Sequence, residues 1–138
     1  MSCAQNLTFE LWSSFMPRRK EIANTVGTDL YSLQIYPEGF HADFNPMVEF
    51  EKWAAVEVAD LSAIPEGMEV LELPAGLYAV FIYKGTPENA GSFFNYIFSQ
   101  WLPASGYVLD NRPHFELLGE KYSHGDPASV EEVWVPVK

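Results

Sequence analysis

Cysteine is nearly absent from this chain. Cys3 is the one thiol in 138 residues, so neither an internal disulfide nor a thiolate zinc cage can form. Basic residues are scarce too: Lys and Arg number 8 against 19 Asp and Glu, a net charge of −11. Three of the eight, Arg18, Arg19 and Lys20, fall in one short cluster. A nucleic-acid surface needs a basic stripe, and an anionic membrane surface attracts one. Neither partner is expected. No apolar run approaches the ~20 residues that cross a bilayer, and the N-terminus lacks the basic-then-apolar order of a signal peptide. His41, His114 and His124 are dispersed, and there is no His-Glu-x-x-His helix, no Gly-x-Ser-x-Gly elbow and no phosphate-cradling glycine loop. No metal and no cofactor are expected. What the chain does have is apolar material, 48% of residues with 15% aromatic, enough for a real core. The expectation is one acidic, cytoplasmic domain over residues 1–138.

Along the chain, Asn6 is placed to cap a helix whose Leu7, Leu11, Trp12 and Phe15 recur at helical spacing, over residues 7–16. Residues 30–36 and 53–58 are β-branched and aromatic and read as strands, as do 68–73 and 76–84, with a kink at Pro74-Ala75-Gly76. Pro87 opens a second helix through Phe93, Phe94, Ile97, Phe98 and Trp101, with Pro103 as its stop. Residues 114–118 and 132–137 finish the chain as strands. The stretch Leu11-Trp12-Ser13-Ser14-Phe15-Met16-Pro17 matches Ile97-Phe98-Ser99-Gln100-Trp101-Leu102-Pro103 in character, and each is followed by a strand and then a second strand ending Val-x-Val. The expected class is α+β. Two pseudo-symmetric helix-plus-antiparallel-strand repeats would form a curved sheet with a central groove.

Several segments resemble the GyrI-like effector-binding domains of AraC-type and related regulators. They include Leu11-Trp12-x-x-Phe15-Met16-Pro17-Arg18-Arg19, Leu30-Tyr31-Ser32-Leu33-Gln34, Phe50-Glu51-Lys52-Trp53-Ala54-Ala55-Val56-Glu57-Val58, Leu77-Tyr78-Ala79-Val80-Phe81, Gln100-Trp101-Leu102-Pro103-x-Ser105-Gly106-Tyr107, Phe115-Glu116-Leu117 and Val133-Trp134-Val135-Pro136-Val137. The resemblance implies an aromatic, hydrophobic pocket between two helix-plus-strand repeats. It also implies a first strand that is short or missing, because only residues 1–5 precede the first helical pattern.

Acids among aromatic rings on strands are the candidate site. Side chains alternate across a strand, so Trp53 and Glu57 share a face, as do Glu132 and Trp134. By alternation alone Glu116 looks away from Phe115 and Leu117, toward solvent. The resemblance implies instead that Glu116 faces the pocket and neutralises a lipophilic cation beneath aromatic rings, which attract delocalised cations by ~0.5–2 kcal/mol each. Tyr31, Tyr78 and Trp134 complete the expected lining with Trp53, Glu57 and Glu116. The expected function is binding of a hydrophobic small molecule, cationic or aromatic. Two alternatives stand beside it: a hydrolase with Glu116 as base or nucleophile and Tyr31 as acid, and a gyrase-inhibitor-like role through a homodimer or partner protein at the open sheet edge.

Overall fold

The computed structural model describes residues 1–42 and 44–138. Helix α1 spans Thr8–Phe15; its cap position is Leu7, and Asn6 just before it accepts a hydrogen bond from the Thr8 N–H at 3.0 Å, so the expected Asn6 cap is displaced by one residue. Pro17 does not end the helical path. It enters the first turn of a 3₁₀ segment, Met16–Glu21, where a missing N–H costs nothing. Arg18 there bonds the Glu21 carboxylate and the Glu66 carbonyl, and Arg19 the Thr28 carbonyl, so this basic cluster ties loops together.

The strands are β1 (Leu30–Ile35), β2 (Glu51–Ala55), β3 (Leu77–Lys84), β4 (His114–Leu118) and β5 (Val130–Val137). They form one antiparallel sheet in the order β2-β1-β4-β5-β3. The class is α+β, as the sequence implies. β1 and β4 pair at the centre, β2 and β5 lie outside them, and β3 adds an edge beyond β5. Among the described residues no strand stands beyond β2. There the chain start makes the bridge Ser2–Glu49, hydrogen bonds between Met1 and Phe50, and one from the Ala4 N–H to the Pro46 carbonyl.

The expected strand at 68–73 does not form. Its pattern suits a strand, but β2 and β3 are opposite edges, so the segment joining them must cross the whole sheet, about 19 Å at ~4.8 Å per strand. A chain crossing a sheet cannot run alongside either edge, and it finds no ladder partner. The Pro65 turn that starts the crossing is present, with the Met68 N–H bonding the Pro65 carbonyl.

The second helical rod comprises a 3₁₀ turn (Pro87–Asn89), α2 (Gly91–Tyr96), a π-helical turn (Ile97–Trp101) and α3 (Leu102–Ser105). Pro103 was the expected stop, yet the rod runs on to Gly106, whose φ of 82° is the left-handed conformation that ends helices. Proline removes an N–H and crowds the carbonyl four residues earlier. The widened π turn just before it absorbs that demand. The rod packs on β3 and β5, where Ile97 is fully buried among Tyr83, Val133, Val135 and Val137, with Phe93, Phe94 and Phe98 around them.

One side chain fastens the end of this half-sheet. Arg112 is 7% exposed, and its guanidinium bonds Asp110 Oδ2 at 2.7 Å, the Val137 carbonyl at 3.2 Å and the Leu77 carbonyl. It also lies over the Tyr78 ring, 4.5 Å from the centroid. Gly76 makes room for it: a Cβ there would stand 2.6 Å from the guanidinium carbon. Arg112→Met should therefore cost about 2–3 kcal/mol of stability, the range for losing hydrogen bonds to a charged buried group. Gly76→Ala should act through the same clamp, so the double variant should be little less stable than the worse single one. Urea unfolding measures all three, and additive losses would show that the two residues act separately.

Candidate functional site

The register divides the sheet into two unlike sides. On one side β3 and β5 present Phe81, Tyr83, Val133 and Val135 to the helical rod. Toward the middle of the sheet that same side turns polar. It carries Glu116 and His114 from β4, Ser32 and Gln34 from β1, and Lys52 from β2, because Ser32 pairs with Glu116, and Gln34 with both His114 and Lys52. Glu131, two residues from Val133 on β5, joins them. Ser32, Gln34 and His114 are all under 9% exposed. Covered sheet positions are ordinarily apolar, so a polar centre demands an explanation.

Glu116 is at the heart of it. Its Oε2 is completely covered and has no hydrogen-bond partner. Burial pushes its carboxyl above the usual range, while the Lys52 ammonium and the Gln34 side chain pull it back. Glu131 is pushed up to about 7, first by burial and then by the Glu116 charge, with Lys52 opposing. Burial in turn lowers Lys52, against the pull of both acids. Among the described residues no direct ion pair joins Lys52 to either acid. The three charges sense one another without touching.

The cover over this cluster is aromatic. A cavity of about 20 Å³, room for a single water, is bordered by Gln34, Phe94, Phe98, His114, Glu116 and Trp134. The His41 ring stacks on Phe98 at 4.3 Å and on His114 at 5.1 Å, and Tyr36 meets His41, His114, Phe40 and Phe50 edge-on, stacked or tilted. These rings pin the turn after β1 to the helical rod. Burial lowers His41 to about 4, and burial with the His41 charge lowers His114 to about 3.

The other side of the sheet holds the remaining expected residues. Phe115 stacks on Trp134 at 5.2 Å, and Tyr31 and Tyr78 flank Phe115 at 5.9 and 5.5 Å. Trp53 pairs with Leu33 on that side. Two acids are already occupied there: Tyr31 donates to Glu57 Oε1 at 3.4 Å, and the Trp134 indole N–H to Glu132 Oε1 at 2.9 Å. The expected sharing of a face by Trp53 with Glu57, and by Glu132 with Trp134, matches these contacts. A single lining of all six residues does not occur, because Glu116 faces the opposite side from Tyr31, Trp53, Tyr78 and Trp134. The outward view of Glu116 is also corrected: it does turn away from Phe115, but toward the helices and not toward water. Tyr31 consequently cannot serve Glu116 as acid partner.

A second, open groove of about 1350 Å³ runs along β2. Because β2 is an edge strand, this groove follows both of its sides, touching Lys52 on one and Tyr31, Trp53 and Glu57 on the other, with Leu11 and Phe15 of α1 as a wall. Lys52, Gln34, Glu131 and the His41–His114 stack were not singled out from sequence. Their signal was the polar alternation Ser32, Gln34 and Lys52, Ala54, which reads equally as a solvated face. Among the described residues no three His, Cys, Asp or Glu side chains are arranged to hold a metal ion, and no helix is long and apolar enough to cross a membrane.

A sheet with a polar, partly unsatisfied centre beneath helices, beside an open aromatic groove, is the layout of a ligand-binding α+β domain. The chain belongs to the GyrI-like family: the model of the GyrI-like small molecule binding domain matches residues 9–138. It is also 31% identical over 129 residues to the transcriptional regulator BrlR of Pseudomonas aeruginosa, a match covering 93% of this chain and 45% of that protein. The chain thus spans less than half the length of that relative.

Acid should reveal the covered site. The neutral histidines of the fold refuse protons that the unfolded chain takes up near its ordinary histidine value, so they lower stability as pH falls from about 7 toward about 4. Glu116 and Glu131 act in the opposite sense, holding in the fold a proton that the unfolded chain releases above about 4.5. A His41→Phe/His114→Phe variant keeps only the second effect. On going from about pH 7 to about pH 5 its stability should rise relative to the wild type by about 3–4 kcal/mol, roughly 2 for each histidine, measured by denaturant titration at each pH. Parallel profiles would show that both histidines titrate normally in the fold.

Proposed function

We propose that this domain binds a hydrophobic small molecule carrying a positively charged group, and that Glu116 reads the charge. The observation that supports this reading is the covered, unpartnered Oε2 of Glu116 beside a cavity closed by rings. Leaving a carboxylate dry and unpaired costs several kcal/mol, and a cation that seats against it recovers that cost. Phe94, Phe98 and His114 supply ring faces for the rest of such a ligand. Room for one water is too little for a drug-sized molecule, so binding requires the helical rod or the Tyr36–His41 turn to move aside.

The groove along β2 gives the approach. Tyr31, Trp53 and Glu57 form its aromatic and acidic wall, and the overall charge of −11 draws cations toward it. Tyr78 and Trp134 act from behind, fixing Phe115 and through it the β4 strand that carries Glu116. Sensing is favoured over turnover, since Tyr31 is out of reach of Glu116 and the similar protein is named a transcriptional regulator. A cytoplasmic setting fits the acidic composition.

Glu116→Gln keeps the shape and removes the charge. Phenyltrimethylammonium should bind this variant about 30-fold more weakly than the wild type, equivalent to about 2 kcal/mol. The neutral isostere tert-butylbenzene should bind both alike, and the unliganded variant should unfold at a higher temperature, because a buried charge has gone. Calorimetric titration and thermal unfolding decide it. Equal weakening of both compounds would assign Glu116 to the fold and not to charge reading.

A further inference from the structure

A bare cation is an incomplete match to the covered cluster, because Lys52 stands in it. The row Ala54–Ser32–Glu116–Val133 crosses the sheet in register, and Lys52 occupies the neighbouring row with Gln34 and His114. Ala54 and Ser32 are the small residues of the first row. They lie between Glu116 on β4 and Lys52 on β2, which are two strands and so about 10 Å apart at the backbone. Neither charge is paired: Lys52 makes no direct ion pair among the described residues, and Glu116 Oε2 has no partner. Lys52 also borders the open groove along β2, whereas Glu116 borders the small cavity beside Phe94 and Phe98.

We infer that Lys52 is a specificity-determining residue, and that the site takes a ligand bearing two groups close together: a cationic hydrogen-bond donor for Glu116 and an anionic or strongly accepting group for Lys52. This rests on the proposed role of Glu116 and adds a second requirement to it. A zwitterion on an aromatic body meets both requirements. It bridges the two protein charges without leaving either unpaired. A simple cation instead satisfies Glu116 while standing near the like charge of Lys52, which selects against it. The opposed effects on the two side chains, with burial raising Glu116 and lowering Lys52 and each restraining the other, agree with a pair held just short of contact.

Three compounds on one naphthyl frame test this at neutral pH: 2-naphthylalanine as zwitterion, 2-(2-naphthyl)ethylamine as cation and 3-(2-naphthyl)propanoate as anion. By calorimetric titration the wild type should bind the zwitterion about tenfold more tightly than either of the others. Lys52→Met keeps the apolar stem and should shift the preference to the amine; Glu116→Gln should shift it to the propanoate. Ratios are taken within each variant, so a general loss of folded protein cancels. A wild type that binds the amine as well as the zwitterion, or a ratio unchanged in Lys52→Met, overturns the role of Lys52. In that case an amine weakened by Glu116→Gln still leaves the charge-reading role of Glu116 standing. Failure of all three compounds to bind the wild type overturns both.

Discussion

A carboxylate held away from water at the centre of the sheet is the constraint on which the rest of this domain turns. Glu116 is placed there by alternation: Phe115 must face the aromatic side to stack on Trp134, and that forces its neighbour toward the helices. Once there, the charge conditions its surroundings. Burial and Glu116 together push Glu131 up to about 7, and Lys52 is drawn toward staying charged although burial opposes it. Ser32, Gln34 and His114 then occupy positions that a purely structural sheet fills with valine and isoleucine. The cluster has a cost in folding, and the helical rod over Val133, Val135 and Val137 supplies the compensating apolar burial on the same side.

The unequal halves of the sheet explain where access lies. On the β3 side an extra strand, the Arg112 clamp and the Ile97-centred core close the structure. On the β2 side among the described residues no strand follows, so the edge is open and the long connection 59–76 crosses without a ladder of its own. The groove forms there for that reason. Between the closed half and the open one, the His41 ring lies against Phe98 and His114. That contact joins the turn after β1 to the rod.

Much of the fold was legible in the sequence because its signals are local. The strand residues 30–35, 77–84 and 114–118, the helix after Asn6 and the helix opened by Pro87 all follow from spacing and from proline position. The failures share one cause, which is that a partner across space decides. Residues 68–73 alternate like a strand but cross the sheet. Pro103 resembles a terminator, but a π turn ahead of it takes up the strain. The site was legible in its members more than in its grouping. Tyr31, Trp53, Tyr78, Trp134 and Glu116 stand on the expected strands, and Glu57 just past the end of β2, which stops at Ala55 and not at residue 58. Yet a strand has two sides, and this sheet is furnished on both. Ser32, Gln34 and Lys52 read as a wetted face, since nothing in a local pattern says that helices and a turned loop will cover it.

The two sides differ most in the charges they bury, and this difference assigns their roles. On the aromatic side Tyr31 is bonded to Glu57, Trp134 to Glu132, and Arg112 to two strand ends and a ring. Those contacts hold geometry, although the Tyr78 hydroxyl and Arg112 Nη1 stay buried without partners. On the helix side an oxygen of Glu116 has no partner, and Lys52 and Glu131 sense it without reaching it. Free energy that the fold forgoes there is available to whatever completes the cluster, and a ligand gains most where the unliganded protein is least satisfied. The stacked rings of the aromatic side keep β4 in register, and so Glu116 stays aimed into its cavity whether or not a ligand is present. Stability and selectivity are thereby carried by opposite sides of one strand, with Phe115 and Glu116 as adjacent residues serving each.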